Sequence, residues 1–259
     1  MSLIGKNVVY VGGFGGIGFA CCAEFLKRGI NTLIILDVNE NSPKLQQLNK
    51  LSPNASVEFM PLNLLNGRVT IERILKTVVH KIRYIDILIN GSGIVNDRKP
   101  QLCVDINLTG LIETTLVAVP IMSKSESGRG GLIVNVASVL GLEPGPFAAV
   151  YSATKHGVVG FTRSLADPHY NNITGISYIA ICPGATVTGL LDTFVGVDTF
   201  EMSKPISERI IKAKNQTAEE CAEAMMQAIE KAENGSVWIC DLGKCEKVEM
   251  HKYWSYILD

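Results

Sequence analysis

Short apolar runs alternate with longer amphipathic stretches along this chain. The runs lie at 7–12, 32–37, 57–62, 85–90, 132–138, 176–182 and 237–240. Several are apolar at every position rather than at every second one, which predicts strands covered on both faces. Helices are predicted near 16–28, 68–82, 102–122, 152–167 and 217–233. This alternation predicts a mostly parallel α/β sheet of seven strands with helices on both faces.

No repeat, low-complexity segment or linker divides the 259 residues. We therefore expect one domain over 1–259, with a substrate loop at about 185–214 and an aromatic C-terminal tail at about 248–259. Two architectures suit this pattern and length, a doubly wound open sheet and a (β/α)8 barrel.

Glycines after the first predicted strand decide between the two architectures. Gly13, Gly15 and Gly18 form a Gly-x-Gly-x-x-Gly pattern where that strand runs into an apolar helix. Such glycines allow a tight turn and a close approach of a pyrophosphate, which the helix N-terminus then binds. The pattern predicts a doubly wound Rossmann fold that holds a dinucleotide.

Asp37, at the end of the second predicted strand, indicates which dinucleotide is bound. It follows Gly18 by nineteen residues, at the place where a carboxylate can accept hydrogen bonds from the adenosine ribose. No Lys or Arg occurs from Gly29 to Pro43, so nothing in that segment would neutralise a 2′-phosphate. The sequence predicts NAD rather than NADP.

Tyr151 and Lys155 stand four residues apart in a predicted helix, so they project from the same helical face. A neighbouring cation favours the phenolate form of a tyrosine, and a phenolate can act as a base. We therefore expect Lys155 to lower the pKa of Tyr151. Ser138, at the end of the fifth predicted strand, precedes Tyr151 by thirteen residues.

These motifs occur in the order typical of the short-chain dehydrogenases/reductases, which the whole chain resembles. The matching residues are Gly12 to Gly18, Asn90 to Gly93, Asn107, Ser138, Tyr151 with Lys155, and Pro183 with Gly184. Within that family the chain is similar to the insect-type alcohol dehydrogenases, notably in the segments at 85–91 and 234–239. The resemblance implies NAD-dependent oxidation of small alcohols without a metal. It also extends to development-associated relatives whose enzymatic activity is not established.

The resemblance implies a role for each matching residue. Tyr151 would be the catalytic base, and Lys155 would bind the nicotinamide ribose and stabilise the phenolate. Ser138 would orient the substrate oxygen, and Asn107 would hold a water in a proton relay. Asn63 stands where relatives usually carry an Asp that faces the adenine. The cofactor would contact Gly12, Gly13, Gly16, Ile17, Gly18, Asp37, Asn63, Asn90, Gly91, Gly93, Pro183, Gly184, Thr186 and Thr188.

Apolar residues on two segments are the candidates for a substrate pocket. Beside Ser138 and Tyr151 they are Val139, Leu140, Leu142, Phe147, Ala185, Val187, Leu190, Leu191 and Phe194. Between Lys155 and Lys204 the one basic residue is Arg163, well along a helix, so an anionic substrate would lack an anchoring cation. The sequence favours a small neutral primary or secondary alcohol, or its ketone or aldehyde.

Two alternative functions stay open. One is a catalytically weak developmental or storage-like protein that binds NAD. The other is a dehydrogenase of a larger hydroxy-lipid or steroid, which the volume left by the loop near 185–205 would decide.

Composition limits the partners and the compartment. A formal net charge of −1 gives no electrostatic case for a nucleic-acid partner. The start lacks the apolar segment of a signal peptide, and the apolar runs are too short to span a membrane. Seven cysteines without Cys-x-x-Cys and four histidines without metal-ligand spacing predict reduced thiols and no metal. We expect a cytoplasmic homodimer, because the resemblance implies one and the tail at Tyr253, Trp254 and Tyr256 would need cover.

Overall fold

The computed structural model describes residues 1–251. Its strands are β1 Asn7–Val11, β2 Thr32–Asp37, β3 Ser56–Pro61, β4 Ile87–Asn90, β5 Gly131–Val136, β6 Ile176–Pro183, β7 Val237–Asp241 and β8 Lys244–Lys247. They form one sheet in the order β3-β2-β1-β4-β5-β6-β7-β8. Pairs from β3 to β7 are parallel, and β7 pairs with β8 antiparallel. The strand order reverses between β1 and β4, so the predicted doubly wound fold is confirmed.

The predicted count of seven strands is wrong by one, because β8 carries no apolar run. Its sequence, Lys-Cys-Glu-Lys, reads as a loop, yet charged residues are what an exposed edge strand usually carries. A two-residue turn joins it to β7, with Leu242 at φ 47° and Gly243 at φ 74°. Positive φ at both positions is the type I′ geometry that suits a tight hairpin.

Helices flank the sheet throughout the described residues. They are α1 Gly16–Lys27, α2 Ser42–Leu51, α3 Gly67–Ile82, α4 Pro100–Val104, α5 Gly110–Met122, α6 Ala149–Leu165, α7 Pro168–Thr174, α8 Gly189–Asp192, α9 Lys204–Lys212 and α10 Ala218–Lys231. The five predicted helices correspond to α1, α3, α4 with α5, α6, and α10. The helices α2, α7 and α8 were not predicted, since each buries at most one side chain and so shows no strong apolar stripe. Helix α9 was also missed, although Ile206, Ile210 and Ile211 form an apolar stripe that packs against the core cluster around Tyr151 and Phe194.

Both faces of the sheet are packed, which explains the continuous apolar runs. On β1, Val8 and Tyr10 belong to a core cluster with α1 and α10, whereas Val9 and Val11 belong to a second cluster with α3 and α5. All four side chains are at most 2% exposed. Successive strand residues point to opposite faces, so each must be apolar when helices cover both.

A π-helical turn at Asp105–Thr109 separates α4 from α5. The combined segment Pro100–Met122 is long and apolar enough to cross a membrane by length and composition, but 44% of its most apolar window is buried inside the protein. It packs against α3 and α6. Such single π turns occur frequently at functional sites, and this one contains Asn107.

The predicted tail at 248–259 falls mostly outside the described residues. Tyr253, Trp254 and Tyr256 belong to that part of the chain, so their packing at a subunit interface stays a prediction. The dimer itself also stays a prediction.

Candidate active site

Three of the four candidate catalytic side chains meet at one point beside the carboxyl end of β5. Ser138 follows this strand, and Tyr151 and Lys155 lie on the adjoining helix α6. The Ser138 side chain lies close enough to the Tyr151 phenol to lower its pKa, and Lys155 Nζ lies 5.6 Å from the Tyr151 ring centroid. Their exposed fractions are 8%, 6% and 4%. The structure thus brings a phenol, a hydroxyl and an ammonium together in a largely water-free place.

Lys155 and Asn107 both come close to Gly93. A Cβ atom added to Gly93 would lie 3.4 Å from Lys155 Nζ and 3.5 Å from Asn107 Oδ1. Lys155 Nζ donates to the Val136 carbonyl at 2.9 Å. The Asn107 amide accepts from Ile94 N and donates to Ile94 O, both at 2.8 Å. Asn107 therefore fixes the segment that passes beside Lys155, and its expected role in a proton relay stays a prediction.

Burial dominates the protonation of this group. It raises the pKa of Tyr151 to about 12, although the hydrogen bond with Ser138 lowers it. Burial also lowers the pKa of Lys155 to about 8. The net effect on the pKa of Tyr151 is thus upward, and the expected lowering by Lys155 stays a prediction. Removing water destabilises both the phenolate and the ammonium, which accounts for the direction of both shifts.

Asp97 holds the end of α6 that carries Tyr151, and sequence reasoning missed it. The helix has no side-chain cap of its own at Ala148. Instead, the N–H groups of Val150 and Tyr151 donate to the Asp97 carboxylate at 2.7 and 3.0 Å, and the Thr199 hydroxyl donates to it at 2.7 Å. A carboxylate at this position accepts hydrogen bonds from backbone amides that have no partner within the helix, and its negative charge interacts favourably with the positive end of the helix dipole. Since 53 residues separate Asp97 from Val150, no local pattern signals the contact.

The glycine turn forms a cradle that side chains would fill. A Cβ atom on Gly12, which has φ +83°, would lie 2.8 Å from Ser92 N, and one on Gly18 would overlap Gly12 O. Helix α1 begins at Gly16 without a side-chain cap at Gly15. Its first amides therefore face the turn as free donors, and this arrangement fits the pyrophosphate of a dinucleotide.

Asp37 binds the glycine turn to the end of β2. Its carboxylate accepts from Phe14 N at 3.0 Å and from Val38 N at 2.8 Å, which leaves further acceptor positions on the two oxygens. Lys44, just beyond the segment that lacks basic residues, donates to Phe14 O at 2.6 Å. The expectation that no cation lies near a bound 2′-phosphate is therefore incomplete, because the fold brings the Lys44 ammonium to the glycine turn.

Two of the residues predicted to bind the cofactor, Asn63 and Asn90, instead use their side chains in hydrogen bonds within the protein. The Asn63 amide oxygen accepts from Leu65 N at 3.0 Å and caps a short 3-10 helix. Asn90 is 3% exposed and donates to Thr115 Oγ1 and Asn135 Oδ1 at 3.0 and 2.8 Å. Asn90 therefore contributes its backbone position, at the end of β4, rather than its amide to this crevice.

A cavity of about 390 Å³ opens beside Tyr151. The predicted residues that line it are Ile17, Gly91, Gly93, Ser138, Val139, Leu140, Phe147, Tyr151, Lys155, Pro183, Gly184, Ala185, Thr186, Thr188, Leu190, Leu191 and Phe194. Leu142 does not reach it and instead packs against the core cluster that contains Leu111, Ala137 and Val158. Val187 also points elsewhere and is 59% exposed. The predictions that Leu142 and Val187 line the substrate pocket are therefore wrong. Each residue lies beyond a change of chain direction that the sequence does not reveal.

Polar groups that the sequence reasoning missed also line the cavity. They include Lys214, Asn215 and Asp241, and Lys214 is exposed. The expectation that an anionic substrate would lack an anchoring cation is therefore wrong, because Lys214 lies beyond the segment from Lys155 to Lys204 on which it rested. Across residues 1–251, no three His, Cys, Asp or Glu side chains are grouped so that they could hold a metal ion.

Comparison with known proteins agrees with this geometry. Residues 6–195 match the family model described as short chain dehydrogenase. The chain is 44% identical to Alcohol dehydrogenase 2 of Ceratitis cosyra over 254 residues, which cover 98% of both chains. It is 38% identical to Fat body protein 2 of Drosophila melanogaster, covering 96% of this chain and 97% of that protein. The predicted similarity to insect alcohol dehydrogenases is therefore confirmed.

A solved structure reproduces the fold. It is a short-chain dehydrogenase/reductase from Burkholderia phymatum in complex with NAD, with a TM-score of 0.78 and 20% sequence identity. The match covers 93% of this chain and 90% of that one. From its family match, its close relatives and its architecture, this chain belongs to the short-chain dehydrogenase family.

Proposed function

We propose that this protein is an NAD-dependent dehydrogenase that oxidises small neutral primary and secondary alcohols to aldehydes and ketones. The observation that carries the proposal is the convergence of Ser138, Tyr151 and Lys155, all three buried at the wall of one cavity. The alcohol dehydrogenases among the relatives support the alcohol as substrate class.

The side chains divide the work at the substrate oxygen. Ser138 donates a hydrogen bond to this oxygen and orients it, and Tyr151 takes its proton as general base. Lys155, held by the Val136 carbonyl, supplies the positive charge that stabilises the phenolate at the moment it forms. Burial raises the pKa of Tyr151 to about 12, so the proton leaves readily only when another positive charge also lies close.

NAD fits the second half of the site. The glycine cradle and the free amides of α1 would hold its pyrophosphate, Asp37 would accept from the adenosine ribose, and residues around Pro183 would contact the nicotinamide. When bound, NAD accepts the hydride from the carbinol carbon and brings a positively charged ring. The Asp37 carboxylate would repel a 2′-phosphate, which supports NAD over NADP.

Cavity size supports a small substrate. The 390 Å³ space lies near the lower limit of about 300 to 1,000 Å³ for ligand pockets, and it must also admit the nicotinamide end of the cofactor. Phe147 and Phe194 pack together at its wall with ring centroids 5.5 Å apart and ring planes tilted by 39°. A steroid or long hydroxy-lipid would need more room, so this alternative is the weaker one.

The test mixes purified protein with NAD or NADP and a panel of primary, secondary, carboxylated and steroid alcohols, then follows NAD(P)H formation. We expect turnover with NAD and small neutral alcohols. Preference for a carboxylated alcohol would assign Lys214 an anchoring role and overturn the neutral-substrate part. NAD binding without turnover on any alcohol would instead support the weakly catalytic alternative, which the similarity to Fat body protein 2 keeps relevant.

The quaternary state is a second part of the proposal. We expect a homodimer, and sedimentation velocity on the full chain would measure it directly; a monomer at micromolar concentration would contradict this part alone.

A further inference from the structure

Two cysteines face each other across the hairpin of β7 and β8. Cys240 pairs with Cys245 in the antiparallel register, one step from the Asp241–Lys244 pair that closes the turn. The Cys240 carbonyl is already engaged on the other side, where it accepts from Gly184 N at 3.0 Å and Gln216 Nε2 at 2.9 Å. Cys240 and Cys245 are thus a non-hydrogen-bonded cross-strand pair.

This position suits a disulfide bond. Directly opposed residues of such a pair have Cα atoms about 4.5 Å apart and side chains on the same face of the sheet. Disulfides span Cα separations of about 4.4 to 6.8 Å. Cys240 also belongs to a buried core cluster against which Cys245 packs, so the pairing and the packing both bring the two thiols to the same face of the hairpin.

The two thiols differ in the way that a reactive cysteine and its resolving partner differ. Cys240 is fully buried, whereas Cys245 is partly exposed, unlike the other six cysteines of the chain. The hydrogen bond from Cys240 lowers the pKa of Cys245 to about 7, with help from the Lys231 ammonium and against the effect of burial. Burial and the same hydrogen bond raise the pKa of Cys240. A thiolate that is accessible beside a protonated thiol is the arrangement found in redox-sensitive pairs.

We propose that Cys245 and Cys240 form a reversible disulfide when the protein meets a hydroperoxide. The Cys245 thiolate attacks the O–O bond, which breaks, and the sulfur becomes a sulfenic acid while the peroxide is reduced and leaves as water or an alcohol. Cys240 sulfur then attacks the sulfenic sulfur and expels its hydroxyl as water, taking up the Cys240 proton. Two thiols and one hydrogen peroxide thus yield one disulfide and two waters, and a small-molecule dithiol reverses the change.

The bond would form next to the cavity. Asp241, the neighbour of Cys240, lines it and packs so closely against Gly184 that no Cβ would fit there. Gln216, which binds the Cys240 carbonyl, also donates to Thr186 Oγ1 at 3.1 Å. The modification site therefore belongs to the wall that supports the loop after β6.

The sequence allows a direct test on the full chain. Lys244 lies between the two cysteines, so trypsin separates them into peptides 232–244 and 245–247. The reduced protein is treated with hydrogen peroxide, its remaining thiols are alkylated, and the digest is analysed by mass spectrometry. We expect these two peptides joined by a bond that dithiothreitol cleaves, while the five other cysteines stay alkylated.

Variants test the two assigned roles. Cys245→Ser should abolish the peroxide-dependent loss of both thiols. Cys240→Ser should leave Cys245 as a sulfenic acid that dimedone traps, and Lys231→Met should slow oxidation at pH 7 by about two- to fivefold, the loss of thiolate that a rise of about 0.5 to 1 in the Cys245 pKa gives. Cys22→Ala, in a separate buried position, should oxidise like the wild type.

Several results would overturn the proposal. Both peptides could remain alkylated after peroxide, Cys245 of one chain could link to Cys245 of another, or Cys245→Ser could lose thiols as fast as the wild type. The wild-type peptide map decides the matter even if a variant does not fold, and it needs no enzymatic activity, so it is independent of the proposed function.

Discussion

Replacing Asp97 should damage both the stability of the fold and the catalytic group, although Asp97 is far from Tyr151 in sequence. The carboxylate accepts three hydrogen bonds, from Val150 N, Tyr151 N and Thr199 Oγ1, at 2.7 to 3.0 Å. Hydrogen bonds to charged groups contribute about 1.5 to 3 kcal/mol each, and the helix dipole adds about 0.3 to 1 kcal/mol. Because these contributions overlap, we expect Asp97→Ala to lower the free energy of unfolding by about 3 to 5 kcal/mol.

Asp97→Asn keeps the shape and one acceptor oxygen, so its expected cost is about 1 to 3 kcal/mol. Both variants should also reduce kcat, since one of the lost bonds holds the backbone of Tyr151 itself. Urea unfolding measures the stability, and NADH formation measures kcat. Asp167→Ala is the matched control, because Asp167 caps the short helix α7 through His169 N; it should cost about 1 kcal/mol and leave kcat unchanged. If Asp97→Ala unfolds like the wild type and retains full kcat, the assigned role is refuted.

Four further outcomes test the electrostatics of the site. Lys155→Met should abolish turnover, while the free energy of unfolding should stay level or rise. Burial lowers the Lys155 pKa from 10.5 to about 8, which means that keeping this ammonium charged in the folded protein costs about 3 kcal/mol. Strong destabilisation of the variant in urea would contradict this. The rate of alcohol oxidation should rise with pH above neutrality, since Tyr151 must lose a proton and burial raises its pKa to about 12. Ser138→Ala should move that rise to higher pH, because the Ser138 hydrogen bond lowers the same pKa; a flat pH profile would argue against Tyr151 as the base. Asp37→Asn should raise the ratio of kcat/KM for NADP to kcat/KM for NAD by about tenfold or more, which corresponds to about 1.4 kcal/mol. The reason is that the substitution removes the repulsion between the carboxylate and a 2′-phosphate, with which Lys44 could then pair. An unchanged ratio would show that Asp37 does not select the cofactor.

Much of the fold could be predicted because most of its strands and helices are determined by residues that are close together in the sequence. The strand Thr32–Asp37 was predicted with both ends correct, because a continuous apolar run of this length is typical of a strand buried on both faces and too short for a helix. The edge strand Lys244–Lys247 was missed because only its neighbour, and not its composition, makes it a strand. Helix α2 was missed for a related reason: Asn41 caps it locally, but it buries little beyond Leu48.

The candidate site was predictable where residue order sufficed and not where spatial contact was needed. Ser138, Tyr151 and Lys155 lie together as expected. The effect of burial on their pKa values was not predictable, because it depends on how much water the surrounding helices exclude. Asp97 acts across 53 residues, and Leu142 turns away from the cavity after a 3-10 turn at Val139–Gly141. Such contacts follow from chain direction in space, which composition and spacing do not encode.

The central claim is that Tyr151 removes the proton from the alcohol. A single-turnover comparison tests it most directly: wild-type protein and Tyr151→Phe, each saturated with NAD, are mixed with a small secondary alcohol, and NADH formation is followed over time. We expect the wild type to form NADH and Tyr151→Phe to form it at least about 100-fold more slowly, in line with the usual contribution of a general base, with NAD affinity unchanged. NADH formation by Tyr151→Phe at a rate close to that of the wild type would contradict the claim.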